Sequence, residues 1–205
     1  MYSFFAAVSR MKYIERWSLM RNARPENLSE HSLEVAVIAH VLCEIGNVRY
    51  QRNLNADRAA ILGLYHDATE IITGDMPTPV KYHSQDIRQA YGMVEEAAAR
   101  RLLGHLPEDL QAVYEGILLP ASSSEKDGDG RNAEDRYLLL LVKAADKLSA
   151  FIKCIEEENA GNAEFRTAKE TIRSAVGKLS EELPEVRDFC EEFLPSYGST
   201  LDELL

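Results

Sequence analysis

The chain has 205 residues, 45% hydrophobic and 28% charged, a composition that fits one globular domain and excludes disorder as a description of the whole. Thirty-four acids against 23 bases leave a net charge of -11, so duplex DNA is repelled and no nucleic-acid polymer is expected as a partner. A few local cations can still hold a small phosphorylated ligand, and with no run of 18 apolar residues no membrane span is expected.

Helical periodicity runs through the chain and strand alternation is nearly absent. Phe4, Phe5, Val8 and Met11 recur at helical spacing in a first short helix. The stretch Glu15–Leu28, with the only Trp, reads as an ordered loop. Ser29 is the expected N-cap of a helix to about Glu44, with Gly46 and Asn47 as its stop. Asn55 caps a helix from Ala56 to about Ile72, placing His66-Asp67 at its middle. It ends in Thr73-Gly74-Asp75-Met76-Pro77-Thr78-Pro79, which forbids continuation. Helical spacing resumes over Ser84–Leu103 and Pro107–Leu118.

The polar, Gly- and Ser-rich stretch 121–133 reads as a mobile surface loop within one core. A long helix is expected over Glu134–Asn159, another over Asn162–Glu182, and a last piece from Pro184. The expected fold is all-α, a single-domain orthogonal helical bundle over residues 1–205 with one buried polar centre. Met1–Arg10 lacks the basic start and long apolar stretch of a secretory signal. Cys43, Cys154 and Cys190 are odd in number and far apart, as expected of free thiols in a reducing cytoplasm.

His66-Asp67 lies in the apolar setting LGLYHDATEII. On a helix, adjacent residues stand about 100° apart, close enough for an imidazole and a carboxylate to bind one cation. Glu70, four residues past His66, projects from nearly the same face. Taken alone, an HD dipeptide reads as a satisfied core histidine with an ionic neighbour. His31, in NLSEHSLEVA, and Asp146, in LLLLVKAADKLSAF, change that reading. A carboxylate in so apolar a helix needs a partner; Lys143 or Lys147 could serve, or a metal. Two imidazoles and two carboxylates on three helices suit a borderline divalent ion such as Mn, Fe, Co, Ni or Zn better than Mg or Ca.

His31, His66-Asp67 and Asp146 match the H…HD…D signature of the HD-domain metal-dependent phosphohydrolases. Within that superfamily, RWSLMRNARPENLSEHSLEVA, LYHDATEIITGDMPTPVKY and VKAADKLSAFIKCIEE resemble the bacterial 5'-deoxynucleotidases of the YfbR type, and the resemblance runs through most of the chain. The 121–133 loop looks longer than the family's connector, and His83 stands where no histidine is expected.

The resemblance implies an HD-domain fold and hydrolysis of 2'-deoxyribonucleoside 5'-monophosphates to deoxynucleoside and phosphate. It implies one divalent ion on His31, His66, Asp67 and Asp146, cobalt or manganese first, with zinc, nickel, iron or copper as others. Glu70 would be the catalytic acid/base, beside Arg16 and Asp67 as further catalytic residues. Arg16, Trp17, Asp75, Met76, Pro77 and Thr78 would contact the nucleotide, with His31, Asp67 and Asp146 bordering it. A homodimer is implied too. From the residues alone, Trp17 could be a packing anchor, Arg16 a surface cation and Asp75 a turn former, and charge does not rank Lys81, Arg21 and Arg24 as phosphate partners. The rival readings are a nucleotide-polyphosphate hydrolase of the same superfamily and a non-catalytic, metal-stabilised helical bundle. The first needs more basic residues than these segments offer, and the second needs neither Glu70 nor Arg16.

Overall fold

The structure, a computed structural model, describes residues 1–81, 83–120 and 131–205. Its elements are α1 (Phe4–Val8), a 3-10 turn (Ser9–Tyr13), α2 (Leu28–Tyr50), α3 (Ala56–Tyr65), α4 (Glu70–Thr73), α5 (Thr78–Lys81), α6 (Gln85–Leu103), α7 (Glu108–Leu118), α8 (Arg131–Asn159), α9 (Arg166–Glu182), α10 (Pro184–Glu192) and α11 (Leu201–Leu204). Among the described residues there is no strand, only an isolated antiparallel bridge between Glu15 and Asn27. The fold is all-α, as the periodicity predicts. Among the described residues no helix is long and apolar enough to cross a membrane. Residues 121–130, most of the expected loop, lie outside the described residues.

Several boundaries differ from expectation for identifiable reasons. The first helix tightens into its 3-10 turn at Ser9. Asn27, not Ser29, caps α2. Its Oδ1 accepts from the N–H groups of Ser29 (3.0 Å) and Glu30 (3.1 Å), while Glu30 Oε2 accepts from Asn27 N at 3.3 Å. That reciprocal box satisfies the free donors two residues earlier than a serine at 29 would. The same helix runs through Gly46-Asn47 to Tyr50. Gly46 is there for space, since a Cβ would meet Glu185 Oε1 at 3.0 Å. Asn47 pins the following turn by accepting from Leu54 N (2.6 Å) and donating to Leu54 O (3.0 Å). Pro77 directly precedes α5, its carbonyl accepting from Val80 N (2.8 Å) and Lys81 N (3.1 Å). A short 3-10 turn, Ala163–Phe165, precedes α9.

The largest correction lies between α3 and α4. Residues 66–69 form a turn, so His66-Asp67 is not in mid-helix. Ala68 N bonds Tyr65 O (3.0 Å), Glu70 N bonds Asp67 O (3.0 Å) and Ile72 N bonds Thr69 O (3.0 Å), all one residue shorter than α-helical spacing. Fully buried Ala68 packs with Met11 and Leu28, drawing the turn inward. The periodicity argument that set Glu70 on the face of His66 therefore does not apply.

The chain divides into two compact units: residues 1–19, 25–32 and 64–136, and residues 20–24, 33–63 and 137–205. The first has a cluster of Phe4, Leu102, Leu103 and Leu106 with Tyr65 and Tyr114 against it. Its Phe4 and Tyr114 rings meet edge-on at 5.0 Å. Buried residues of α2, α3, α8, α9 and α10 form the core of the second. There Gly63 lets α3 lie against α2, because a Cβ would come within 3.0 Å of Ala36 Cα. Glu157, buried in the same unit, accepts from Lys153 Nζ, Ala23 N (2.7 Å), Arg24 N (3.2 Å) and Asn162 Nδ2 (2.6 Å), fixing the backbone of the 20–24 segment.

Candidate metal and nucleotide site

Five segments of the first unit carry the predicted residues other than Asp146. His31, in the first turn of α2, is fully buried. His66 and Asp67 occupy the turn after α3, and Glu70 opens α4. Asp67 Oδ2 lies 3.0 Å from His66 Nε2 and 3.6 Å from His31 Nε2, and the two imidazoles are 5.1 Å apart between centroids. Each ring offers a nitrogen within 4.8 Å of the other's. Two imidazole nitrogens and a carboxylate oxygen gathered at that spacing fit a divalent transition ion.

Glu70 is 6% exposed and its Oε2 is buried without a hydrogen-bond partner. Burial, then the charges of Asp67 and Asp75, pushes its carboxyl up to about 9, against the pull of Arg16 and Lys81. Asp75 follows Gly74, whose φ of 72° is a left-handed conformation that suits glycine. Burial raises Asp75 as well, opposed by Arg16 and by a hydrogen bond from the backbone N–H of Trp17. Met76 and Pro77 are half-buried beyond it, and Thr78 begins α5.

Arg16 and Trp17 stand on the segment before α2, joined to its other end by the Glu15–Asn27 bridge and by Arg16 N donating to Glu26 O at 2.9 Å. Trp17 has φ 56°, a conformation uncommon for a bulky residue. Its Nε1 donates to Glu26 Oε2 at 3.0 Å, the same oxygen lying 3.9 Å from Arg16 Nε. Glu26 Oε1 is 3.8 Å from His31 Nδ1.

The profile of YfbR-like 5'-deoxynucleotidases matches residues 3–197. The chain belongs to the YfbR-like 5'-deoxynucleotidase family. It is 45% identical over 201 residues to a 5'-deoxynucleotidase of Pectobacterium atrosepticum, covering 98% of this chain and 94% of that one. Among solved structures it is similar to an HD-domain phosphohydrolase from Listeria innocua (TM-score 0.76, 22% identity, 95% of this chain and 88% of that one). It is also similar to the cyanophage S-2L HD phosphohydrolase, described as bound to dA and one catalytic Zn2+ ion (TM-score 0.56, 18% identity, 93% and 96% covered). The fold is therefore that of the HD-domain phosphohydrolases, and family membership makes the chain a metal-dependent phosphoric monoester hydrolase.

Within this YfbR-like chain, Asp146 belongs to the second unit, half-buried on α8 with Lys147 Nζ donating to its Oδ2 at 3.0 Å. Of the other cations considered, Arg21 pairs with Glu164 (2.9 Å) and Lys81 with Glu95 (2.7 Å). His83 is exposed, and His105 Nδ1 meets Ser3 Oγ at 3.1 Å. The residue that sequence reasoning missed is Glu26. It shows no periodicity and sits ten positions from Arg16, so only the bridge between the ends of that segment reveals it.

Proposed function

We propose that the protein hydrolyses 2'-deoxyribonucleoside 5'-monophosphates, and that His31, His66, Asp67 and Asp146 hold one divalent ion for that reaction. The observation that carries this reading is the meeting of both histidine Nε2 atoms on Asp67 Oδ2 beside a buried acid, Glu70. The H…HD…D order supports Asp146 as the fourth ligand. Cobalt or manganese is the proposed ion; the zinc described in the cyanophage neighbour supports an ion of the same borderline class.

Such an ion supplies Lewis acidity, polarising a phosphoryl oxygen and lowering the pKa of water from 15.7 towards about 7. The protein's residues do the rest. Glu70 takes the proton of the water that attacks phosphorus and returns it to the 5'-oxygen as the P–O5' bond breaks. Arg16 offsets charge on the equatorial oxygens, a contribution of a few kcal/mol in preorganised sites. Asp75 accepts from the sugar 3'-hydroxyl on the turn with Met76, Pro77 and Thr78, and Trp17 closes the space that a 2'-hydroxyl would need. The dA described in the cyanophage neighbour supports a deoxynucleoside in a site of this fold. Residues 1–205 are proposed to act as one catalytic domain, in the cytoplasm and as a homodimer, and light scattering tests the assembly.

Phosphate release from a panel of nucleotides with cobalt, manganese or zinc tests the reading. Deoxynucleoside 5'-monophosphates should be hydrolysed and 3'-monophosphates spared. Equal rates on ribose and deoxyribose substrates overturn the sugar assignment, and a preference for triphosphates overturns the monoesterase reading in favour of a polyphosphate hydrolase. No release from any substrate by metal-loaded protein leaves a non-catalytic bundle.

A further inference from the structure

We propose that Glu26 is a positioning residue that ties the nucleotide-contacting side chains to the metal ligand His31. The proposal rests on the reading above, in which Arg16 and Trp17 meet the nucleotide and His31 meets the ion. Glu26 is 12% exposed at its side chain and lies between the three. Its Oε2 accepts from the Trp17 indole N–H at 3.0 Å and lies 3.9 Å from Arg16 Nε, while Oε1 lies 3.8 Å from His31 Nδ1.

Each contact has a physical purpose. A histidine that gives Nε2 to an ion keeps its proton on Nδ1, and a carboxylate on that side fixes the tautomer and ring orientation. His31 is arranged this way, with Nε2 towards Asp67 and Nδ1 towards Glu26. Trp17, at φ 56°, holds a sparsely populated backbone conformation that persists only where its surroundings fix it, and the indole's bond to a charged acceptor is of the strong kind. A guanidinium already held beside a carboxylate loses less rotamer freedom when it meets phosphate. One side chain thereby sets the distance between the ion and the surfaces that receive the sugar and phosphate.

Trp17 is the only tryptophan in the chain, so its emission reports on this tether directly. The test compares metal-loaded wild type with Glu26→Ala, Glu26→Gln and Trp17→Phe, each verified as folded by far-UV circular dichroism. Without substrate, Glu26→Ala should lower the emission anisotropy of Trp17 and raise its quenching by acrylamide. Glu26→Gln keeps an oxygen for the indole N–H and should restore both. With a deoxynucleoside 5'-monophosphate, Glu26→Ala and Trp17→Phe should raise KM on the order of tenfold, the scale of one lost charge-assisted bond, with kcat changed only a few-fold. The double variant should fall short of the product of the two effects. Unchanged Trp17 emission in folded Glu26→Ala overturns the proposal, as does a kcat loss without a KM change or full additivity of the two substitutions. If Glu26→Ala does not fold, the Trp17→Phe kinetics decide: a KM at the wild-type value overturns the tether. If wild type hydrolyses no nucleoside monophosphate, the functional reading fails, while the emission comparison still decides whether Glu26 holds Trp17.

Discussion

Replacing Glu70 by glutamine separates what this residue does for catalysis from what it costs the fold. The side chain is 6% exposed, its Oε2 has no hydrogen-bond partner, and its carboxyl is pushed up to about 9 by burial and by Asp67 and Asp75. Its ordinary value is 4.5. In the metal-free protein at pH 7, folding must therefore protonate a group that is ionised in the unfolded chain. Over the 2.5 units between 4.5 and 7, at 1.36 kcal/mol per unit, that costs on the order of 3 kcal/mol. An amide of the same shape does not carry this cost. Metal-free Glu70→Gln should thus melt higher than metal-free wild type by about 5–10 °C, given 2–4 °C per kcal/mol at this size. The sign follows from the raised pKa: the gap is absent below pH 4.5 and widens as the pH rises towards 9. Loaded with metal, the same variant should lose about 10²–10⁴-fold in kcat, since the proton acceptor is gone, and keep its metal content. Calorimetry across pH, metal analysis and phosphate release check all three. A variant that turns over like wild type, releases its metal, or melts lower without metal refutes the role given to Glu70.

Asp146→Ala should abolish the melting shift that metal produces in wild type, about 2.7 kcal/mol at a hundredfold excess over Kd, and differential scanning fluorimetry with and without chelator reads it. Gly63→Ala should destabilise by about 1–3 kcal/mol, because the new methyl meets the Ala36 backbone at 3.0 Å and a helix backbone cannot step aside; urea denaturation measures it. Burial opposes the charge on Glu157, but bonds from Lys153, the Ala23 and Arg24 N–H groups and Asn162 outweigh it and hold the carboxyl down to about 2. Its stabilisation is present above the ordinary value of 4.5 and lost as pH falls through 2, so the stability gap between wild type and Glu157→Gln should close over that interval in an acid titration.

Helix positions were largely legible in the sequence because their cause is local: Asn55 caps α3 with a 2.9 Å bond from Arg58 N, and Pro184 opens α10. The same local logic misjudged Gly46-Asn47, where a glycine serves a close tertiary approach and an asparagine bonds across a turn instead of ending the helix. It also carried α3 through His66-Asp67, since nothing in the apolar spacing of LGLYHDATEII distinguishes a continuous helix from one tightened by the burial of Ala68. The residues gathered around Asp67 were recognisable by type and order. Glu26 was not, because its proximity to Arg16, Trp17 and His31 follows from one backbone bridge that leaves no pattern in the residues between.

The left-handed backbone at Trp17 has a thermal consequence. A non-glycine residue held there carries roughly 1–2 kcal/mol of local strain, and the segment that bears it is closed by the isolated Glu15–Asn27 bridge and a few neighbouring bonds. Segments of that kind open at lower free energy than packed helices. If Trp17 sets the sugar preference as proposed, warming should loosen the indole while α2 and the 66–69 turn still hold His31, His66 and Asp67, and discrimination against ribose should erode before phosphate release does. On that reading, the useful temperature range of the enzyme would be bounded by the accuracy of its substrate choice, at a point below the melting of the chain.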